Sequence, residues 1–455
     1  MLFRKFIAAG LAHNSYLLGS RGVAAVVDPR RDCRVYLETA SRHQMRITHI
    51  FETHRNEDYV IGSLELADLT GAVIYHGARM IFSYGSGVRE GDRFTLGDLG
   101  ITVLETPGHT DESISLLVQD NLVSGEPYMV FTGDTLFSGD VGRTDLLGKE
   151  RRTDAASALY ESIHKKILPL PDGVVVCPAH GAGSVCGTEI ADHEFSTVGY
   201  EKATNPLLPL GKDEFVQRKN AELLDVPPYF TMMERLNKEG APVIRRLPAL
   251  RPYNNAALKA AQSAGAQVVD VRAPTSYAAG HLQNSLSIWR EGLPAFIGWF
   301  LNYEDPILLV DDFNLGLDAI VPHFVRLGYD NIAGFLAGGF PAWFKGAEEI
   351  AQFPSWSVQD LFERRNDPGL YLLDVRDSHN REKVGHIPGS IHIFVGELPK
   401  RIAEVPSDRP IVAFCDAGYK GCLACSILEN AGYSRVTNLL GGMTAWVKAG
   451  YPVAR

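Results

Sequence analysis

Short apolar segments alternate with amphipathic segments along the first half of the chain. A glycine-containing turn at 19–22 separates two strand-like runs, which predicts a hairpin of strands at 15–18 and 22–28. Apolar residues then recur at helical spacing over 34–45. Further strands are predicted at 47–51, 72–75, 94–104 and 174–177, and a further amphipathic helix at 153–167. Strands that alternate with helices but also form antiparallel hairpins indicate an α+β domain.

The segment that follows is helix-like but interrupted. Prolines break it repeatedly between 200 and 247, at Pro206, Pro209, Pro227 and Pro228. We place the end of the first domain near Leu247, which gives a domain of residues 1–247.

The remainder of the chain contains an internal repeat. A shift of about 104 positions, the spacing between Asp270 and Asp374, aligns several motifs. These are Val268-Val-Asp-Val-Arg272 on Leu372-Leu-Asp-Val-Arg376, Gly280-His-Leu282 on Gly385-His-Ile387, and Gly338-Gly-Phe-Pro-Ala-Trp343 on Gly441-Gly-Met-Thr-Ala-Trp446. A unit of this length is a whole domain, so we predict two α/β domains at 250–350 and 355–455, each with a mainly parallel sheet.

Composition narrows the classes of function. A length of 455 residues fits about three domains, and 44 basic against 54 acidic residues exclude the basic footprint of a nucleic-acid binder. Six cysteines in so long a chain favour reduced thiols and a cytoplasmic location. The apolar run at 6–12 is too short to cross a membrane and is interpreted as part of a first strand.

Three metal-ligand candidates each follow a predicted strand. They are His54 after 49–51, His109 in Thr-Pro-Gly-His after 101–104, and Asp134 in Thr-Gly-Asp-Thr after 128–131. Strand ends form a rigid rim, so these residues are expected to form a metal site with two histidines and one carboxylate. A fourth candidate, His180, also follows a strand.

A second kind of chemistry is predicted in the last domain. The strand at 411–414 leads directly into Cys415, and a helix-like segment follows. Backbone N–H groups and the helix dipole at such a turn favour a thiolate. Gly418 and Gly421 allow the backbone to wrap around it, while Asp416 opposes the effect if it turns inward.

The first repeat lacks this nucleophile. Asp311 stands at the position of Cys415, and a carboxylate cannot carry a sulfane sulfur. We therefore expect this copy to have a structural or docking role.

These motifs carry a resemblance. Residues 250–455 resemble two rhodanese domains through the repeated motifs and the Cys-x-x-Gly-x-Lys loop, in which Lys420 stands where many members have arginine. Residues 1 to about 245 resemble the metallo-β-lactamase αββα fold of glyoxalase II and persulfide dioxygenases. The matching segments include Thr-Pro-Gly-His109, Thr-Gly-Asp134-Thr, Gly-Arg143-Thr-Asp and Pro-Ala-His180-Gly. As a whole the chain is similar to bacterial persulfide dioxygenase-sulfurtransferase fusions.

One departure separates the dioxygenase from the hydrolase interpretation. Binuclear hydrolases of this fold carry Thr-His-x-His-x-Asp-His, whereas this chain has Thr53-His-Arg-Asn-Glu-Asp-Tyr59. Asp58 and His180 alone are too few ligands for a second metal, so they are expected to support the first set. Two histidines and a carboxylate suit Fe(II), one ion per chain. Tyr59, Arg143 and Cys186 are further candidates for the substrate pocket.

The resemblance implies an enzyme of sulfide or persulfide metabolism. Iron would bind a low-molecular-weight persulfide and O₂ to give sulfite and a thiol, and Cys415 would transfer sulfane sulfur to form thiosulfate. Glutathione, coenzyme A, bacillithiol and cysteine persulfides all remain candidate substrates, and a homo-oligomer is a further option. The alternatives are a zinc thioester hydrolase fused to a rhodanese, and a sulfur-carrying scaffold whose metal domain is silent.

Overall fold

The computed structural model describes residues 1–187, 189–222 and 224–455. The chain divides into two compact units, one of Met1–Leu247 with Val325–Gly328 and one of Pro248–Phe324 with Tyr329–Arg455. In the described part of the chain, no helix has both the length and the apolar character required to cross a bilayer.

The first unit is built from two sheets with helices outside them. Its strands are β1 (Leu2–Ala8), β2 (His13–Ser20), β3 (Val23–Val27), β4 (Arg46–Phe51), β5 (Val73–Gly77), β6 (Ser86–Val88), β7 (Arg93–Leu96), β8 (Leu99–Glu105), β9 (Ile114–Asp120), β10 (Pro127–Gly133), β11 (Val175–Pro178) and β12 (Ser196–Thr197). Its helices are α1 (Arg34–Arg42), α2 (Ser63–Thr70), α3 (Arg152–Ser162), α4 (Val198–Thr204), α5 (Lys212–Ala221) and α6 (Phe230–Glu239). One sheet has the order β1-β2-β3-β4-β5-β6 and the other β12-β11-β10-β9-β8-β7.

Apolar side chains from both sheets form the central core of this unit. Leu18 and Phe51 from the first sheet pack in one cluster with Val103, Leu116 and Phe131 from the second. Separate clusters join α1 and α2 to the outer face of the first sheet, and α3 and α5 to the outer face of the second. Each sheet therefore buries both faces, which confirms the predicted αββα sandwich.

The second unit contains two similar α/β arrangements. The first has β13 (Arg251–Tyr253), β14 (Gln267–Asp270), β15 (Ser285–Ser287), β16 (Ile307–Val310) and β17 (Ile332–Leu336), with α7 (Asn255–Ser263), α8 (Pro274–Ala279), α9 (Leu293–Phe300), α10 (Val321–Arg326) and α11 (Gly339–Lys345). The second has β18 (Ser355–Trp356), β19 (Tyr371–Asp374), β20 (Ile391–His392), β21 (Ile411–Phe414) and β22 (Val436–Leu439), with α12 (Val358–Arg364), α13 (Ser378–Val384), α14 (Tyr419–Asn430) and α15 (Gly442–Lys448).

Both sheets of the second unit are parallel and have equivalent strand orders. These are β13-β17-β16-β14-β15 and β18-β22-β21-β19-β20, and each neighbouring pair is parallel. The match between the two orders confirms the α/β class predicted from the repeat.

Two predicted elements differ from the structure. The strand predicted at 94–104 is a hairpin of β7 and β8, because Gly97 adopts a φ of +61° at the turn between them. The helix predicted at 153–167 ends as an α-helix at Ser162 and continues as a π-helical turn over Ile163–Ile167.

Helix α14 presents a polar stripe to the first repeat. The stripe consists of Cys422, Ser426, Glu429 and Asn430, which helical spacing places on one face. Glu429 Oε2 lies 2.6 Å from His281 Nε2, and Asn430 Nδ2 donates to the carbonyl of Ser285 at 3.0 Å. The helix that follows the Cys415 loop is therefore held by the copy that lacks a cysteine.

Candidate metal centre and thiolate loop

A hydrogen-bond chain orients His54. Asp28 follows β3 and its Oδ1 accepts from the backbone N–H of Thr53 at 2.7 Å, while its Oδ2 accepts from the Thr53 hydroxyl at 2.8 Å. The Thr53 hydroxyl also lies 2.9 Å from His54 Nδ1. Because that hydroxyl donates its proton to the Asp28 carboxylate, it accepts from His54 Nδ1–H, and His54 Nε2 keeps its lone pair.

His109 is oriented in the same sense by a backbone carbonyl. Its Nδ1 lies 3.0 Å from the carbonyl oxygen of Arg143, which can only accept, so Nδ1 carries the proton. Gly108, directly before it, has a φ of +143°, and a Cβ there would lie 2.4 Å from the backbone of Leu159. Only glycine therefore allows this loop its close approach to α3.

Asp134 follows β10 and faces both histidines. Its Oδ2 lies 3.8 Å from His54 Nε2 and 3.5 Å from His109 Nε2. Gly133 adopts a φ of +53°, and a Cβ at this position would lie 2.6 Å from the Thr53 hydroxyl. The glycine thus lets the end of β10 approach the His54 loop.

The three predicted ligands consequently meet in one buried place. Two donors on the same ion lie no more than about 4.4 Å apart, since each bond is roughly 2.0–2.2 Å long. The distances from Asp134 to the two histidines fall within this limit. Within the described residues, His54 Nε2 and His109 Nε2 are buried without a hydrogen-bond partner. Two ring nitrogens that face a carboxylate, on histidines whose other nitrogen is already hydrogen-bonded, fit a divalent metal ion.

The electrostatics of this cluster favour a bound cation. Burial lowers the pKa of His109, but the carboxylates of Glu57 and Asp134 outweigh it and raise this pKa to about 9. Burial lowers the pKa of His54 to about 4. Burial acts to raise the pKa of Asp134, but His180, His54 and His109 hold it below its usual range. The carboxylates thus demand a positive charge, which a proton or a metal ion can supply.

His180 and Asp58 lie beside Asp134. His180 Nδ1 is 2.8 Å from Asp134 Oδ1 and 3.0 Å from Oδ2, and its Nε2 is 2.9 Å from Asp58 Oδ2. Cys186 joins them, because ligand atoms of Asp58, His180 and Cys186 lie within 4.8 Å of one another. The sequence argument counted two ligands in this second place, and the structure adds the thiol as a third.

Tyr59 and Arg143 support the site by packing and by main-chain contacts. Tyr59 is buried and stacks on His13 with ring centroids 3.8 Å apart. The Arg143 side chain is bound by Asp145 at 2.7 Å through both Nε and Nη2, while its carbonyl faces His109. The ion pair with Asp145 therefore fixes the segment that supplies the acceptor to His109.

Glu57 is a site residue that the sequence argument did not single out. It is fully buried, and its Oε1 lies 3.3 Å from His109 Nε2 and 3.6 Å from Cys186 Sγ. The signal in the sequence was its position, three residues after His54, in the loop that supplies a predicted ligand.

Replacing Thr53 by valine tests the orientation of His54. Thr53→Val keeps the shape but removes the acceptor for Nδ1–H, so we expect metal affinity to fall about 10- to 100-fold. Competition with a chromophoric chelator measures it. Thr48→Val is the matched control. The Thr48 hydroxyl makes the same kind of contact, 2.8 Å from His49 Nδ1, but His49 is not one of the predicted ligands. Equal affinities of wild type and Thr53→Val would contradict the assigned orientation.

The second chemical site lies at the turn between β21 and α14. The backbone N–H of Gly418 donates to Cys415 Sγ at 3.1 Å. Gly418 has a φ of +94°, and a Cβ on Gly421 would lie 2.5 Å from Asn438 Oδ1. Both glycines are therefore required by the tight path of the loop around the sulfur.

Lys420 brings a cation to this loop. Its Nζ lies 3.0 Å from Asp416 Oδ2 and 3.3 Å from Asp377 Oδ2. Asp416 thus turns toward the lysine, and two carboxylates share the charge of Lys420.

In the first repeat, the Asp311 side chain binds backbone groups of its own loop. Its Oδ2 accepts from the backbone N–H groups of Phe313 and Asn314, at 3.2 and 2.8 Å, and its Oδ1 lies 3.0 Å from Arg290 Nη2. The carboxylate closes its own loop where the other copy has a thiol.

Comparisons with known proteins define the class of the chain. Residues 8–180 match the metallo-beta-lactamase superfamily, and residues 254–345 and 357–449 each match the rhodanese-like domain. The protein is therefore an enzyme with a metallo-β-lactamase fold followed by two rhodanese domains.

Relatives specify the family further. The persulfide dioxygenase ETHE1, mitochondrial, of Homo sapiens is 30% identical over 218 residues, which cover 45% of this chain and 74% of that protein. The Bos taurus protein of the same name is 29% identical over 232 residues, covering 48% and 80%. A solved metallo-beta-lactamase from Staphylococcus aureus subsp. aureus COL has a TM-score of 0.66 at 30% identity and covers 74% of this chain and 98% of its own. The chain belongs to the metallo-β-lactamase-fold family that includes these persulfide dioxygenases, fused here to rhodanese domains.

Proposed function

We propose that the protein oxidises a low-molecular-weight persulfide with O₂ and couples this reaction to sulfur transfer through Cys415. The observation that carries the proposal is the convergence of His54 Nε2, His109 Nε2 and Asp134 Oδ2 in one buried place. The similarity of residues in this half of the chain to persulfide dioxygenases supports it.

The proposed cofactor is one Fe(II) per chain, held by His54, His109 and Asp134. When bound, iron would supply the positions at which the terminal sulfur and O₂ meet. The chain's own part is orientation. Thr53 and the Arg143 carbonyl fix the two imidazoles, and His180 binds the Asp134 carboxylate.

The two proposed reactions balance as one sequence. Persulfide, O₂ and water give the thiol, sulfite and two protons. The Cys415 thiolate attacks the terminal sulfur of a second persulfide, so an S–S bond forms at Cys415 and the thiol leaves. Sulfite then takes the terminal sulfur to give thiosulfate and returns the thiolate, to which the Gly418 N–H donates.

The carrier thiol is proposed only by class. Glutathione, coenzyme A, bacillithiol or cysteine would each provide the required S–SH group. A cytoplasmic, reducing setting is consistent with six free cysteines, and a homo-oligomer is compatible with the proposal. Oxygen uptake across a panel of these persulfides would identify the preferred carrier.

A zinc-dependent thioester hydrolase is the second candidate. It is favoured by Asp58, His180 and Cys186, whose ligand atoms lie close enough together for a second ion next to the first.

Metal content of the purified chain distinguishes the two candidates. We expect about one iron per chain after anaerobic loading, because the proposed iron site is a single set of two histidines and one carboxylate. We also expect oxygen uptake when a persulfide is added. Elemental analysis with an oxygen electrode measures both quantities. Two tightly bound zinc ions and hydrolysis of an acylated thiol would instead support the hydrolase.

A further inference from the structure

The Glu57 carboxylate is a buried charge with an incomplete set of partners. It has no exposed surface, and within the described residues its Oε2 has no hydrogen-bond partner. A buried carboxylate is costly unless its oxygens are bound, and Glu57 Oε2 is therefore available to a cation.

Its neighbours show where that cation would be. Glu57 Oε1 lies 3.3 Å from His109 Nε2, and ligand atoms of His54, Glu57 and His109 fall within 4.8 Å of one another. The His109 proton is on Nδ1, where the Arg143 carbonyl accepts it. His109 Nε2 therefore faces the carboxylates of both Glu57 and Asp134, and a metal ion placed between the three groups would be bound by all of them.

We propose that Glu57 is a fourth protein ligand of the metal ion held by His54, His109 and Asp134. The distance of 3.3 Å between Glu57 Oε1 and His109 Nε2 is below the limit of about 4.4 Å for two donors on one ion. Ligand atoms of Glu57, Asp134 and Cys186 form a neighbouring group within 4.8 Å of one another, so Glu57 lies between the two histidines and Asp134.

The effect of a Glu57 ligand on substrate choice rests on the proposed function. Each additional protein oxygen removes a position that an exogenous ligand could occupy. A ligand set of two histidines and two carboxylates therefore favours a substrate that binds through a single atom, such as the terminal sulfur of a persulfide, over one that chelates the metal.

Metal binding by Glu57→Gln tests the assignment without substrate or oxygen. Glutamine keeps the shape but supplies no carboxylate, so we expect the affinity for Fe(II) and Co(II) to fall about 10-fold or more in chelator competition. We also expect the visible absorption of the Co(II)-loaded chain to change, because it depends on the number of ligands. Unchanged affinity and an unchanged cobalt spectrum would overturn the proposal.

The matched control is Glu112→Gln. Glu112 is also buried, and its Oε1 accepts from Arg55 N–H and the Thr110 hydroxyl, contacts that a glutamine oxygen retains. It should keep wild-type affinity and spectrum. An equal loss in this variant would overturn the proposal, because affinity would then follow buried charge in general.

A crystal structure of the wild-type chain loaded with metal provides a test that does not depend on folding of a variant. We expect a Glu57 oxygen about 2.0–2.2 Å from the ion. A Glu57 carboxylate more than about 3 Å away would overturn the proposal. Oxygen uptake by wild type is a separate measurement, so failure of the dioxygenase assignment would not be mistaken for failure of this one.

Discussion

Replacing Cys415 by serine should change the main product from thiosulfate to sulfite while oxygen uptake stays near the wild-type rate. A hydroxyl cannot form a persulfide, so no sulfane sulfur is available to combine with sulfite. The proposed iron ligands His54, His109 and Asp134 belong to the other compact unit and are unchanged. Product chromatography with an oxygen electrode measures both effects.

Two controls sharpen this experiment. Cys422→Ser should keep thiosulfate as the product, because the Cys422 thiol lies 3.4 Å from the Ser287 hydroxyl and 3.4 Å from the Pro274 carbonyl, both of which suit a hydroxyl. Cys415→Ser should also lose thiocyanate formation from thiosulfate and cyanide, since Asp311 cannot carry sulfur. Thiosulfate formed by Cys415→Ser at the wild-type rate would refute the coupling.

Asp134→Ala should abolish both metal retention and oxygen consumption. The substitution removes the carboxylate that faces His54 and His109 and that His180 holds. Two histidines alone make a poor iron site, so the loss should be at least a hundredfold in affinity, roughly 3 kcal/mol. Elemental analysis after desalting, followed by oxygen-electrode assays, measures the result.

The control for this variant is Asp111→Ala on the His109 loop. Its side chain is exposed and pairs with Arg151 at the surface, so metal content should remain that of wild type. Cys415 should still transfer sulfur from thiosulfate in Asp134→Ala. Normal oxygen uptake by Asp134→Ala would rule out the proposed ligand set.

Much of the fold could be predicted from the sequence, because short local patterns such as repeated motifs and strand ends specify its elements. The repeat motifs around Asp270 and Asp374 predicted two copies, and the structure has two parallel sheets with equivalent orders. The strand ends before His54, His109 and Asp134 also predicted that these residues would meet. The predicted ends of strands were less accurate where a single glycine forms a turn. Gly97 has a positive φ and divides an apparently continuous strand into a hairpin.

The rest of the site depends on long-range packing. Cys186 reaches Glu57 across 129 positions of sequence, and no local pattern reveals such a contact. Glu57 also lies between His54 and Asp58 in a loop, where a polar residue is ordinary. The path of the folded chain, not residue spacing, turns both side chains inward.

The polar stripe on α14 also makes the two copies depend on each other. Each contact from Glu429 or Asn430 to the first copy ties the helix beside the Cys415 loop to the copy that has Asp311 at the equivalent position. Excision of the C-terminal copy would expose those polar groups and leave the helix without its support. The proposed sulfur-transfer site therefore depends on residues outside its own copy, and substitutions at His281 or Ser285 would reach the Cys415 loop through α14.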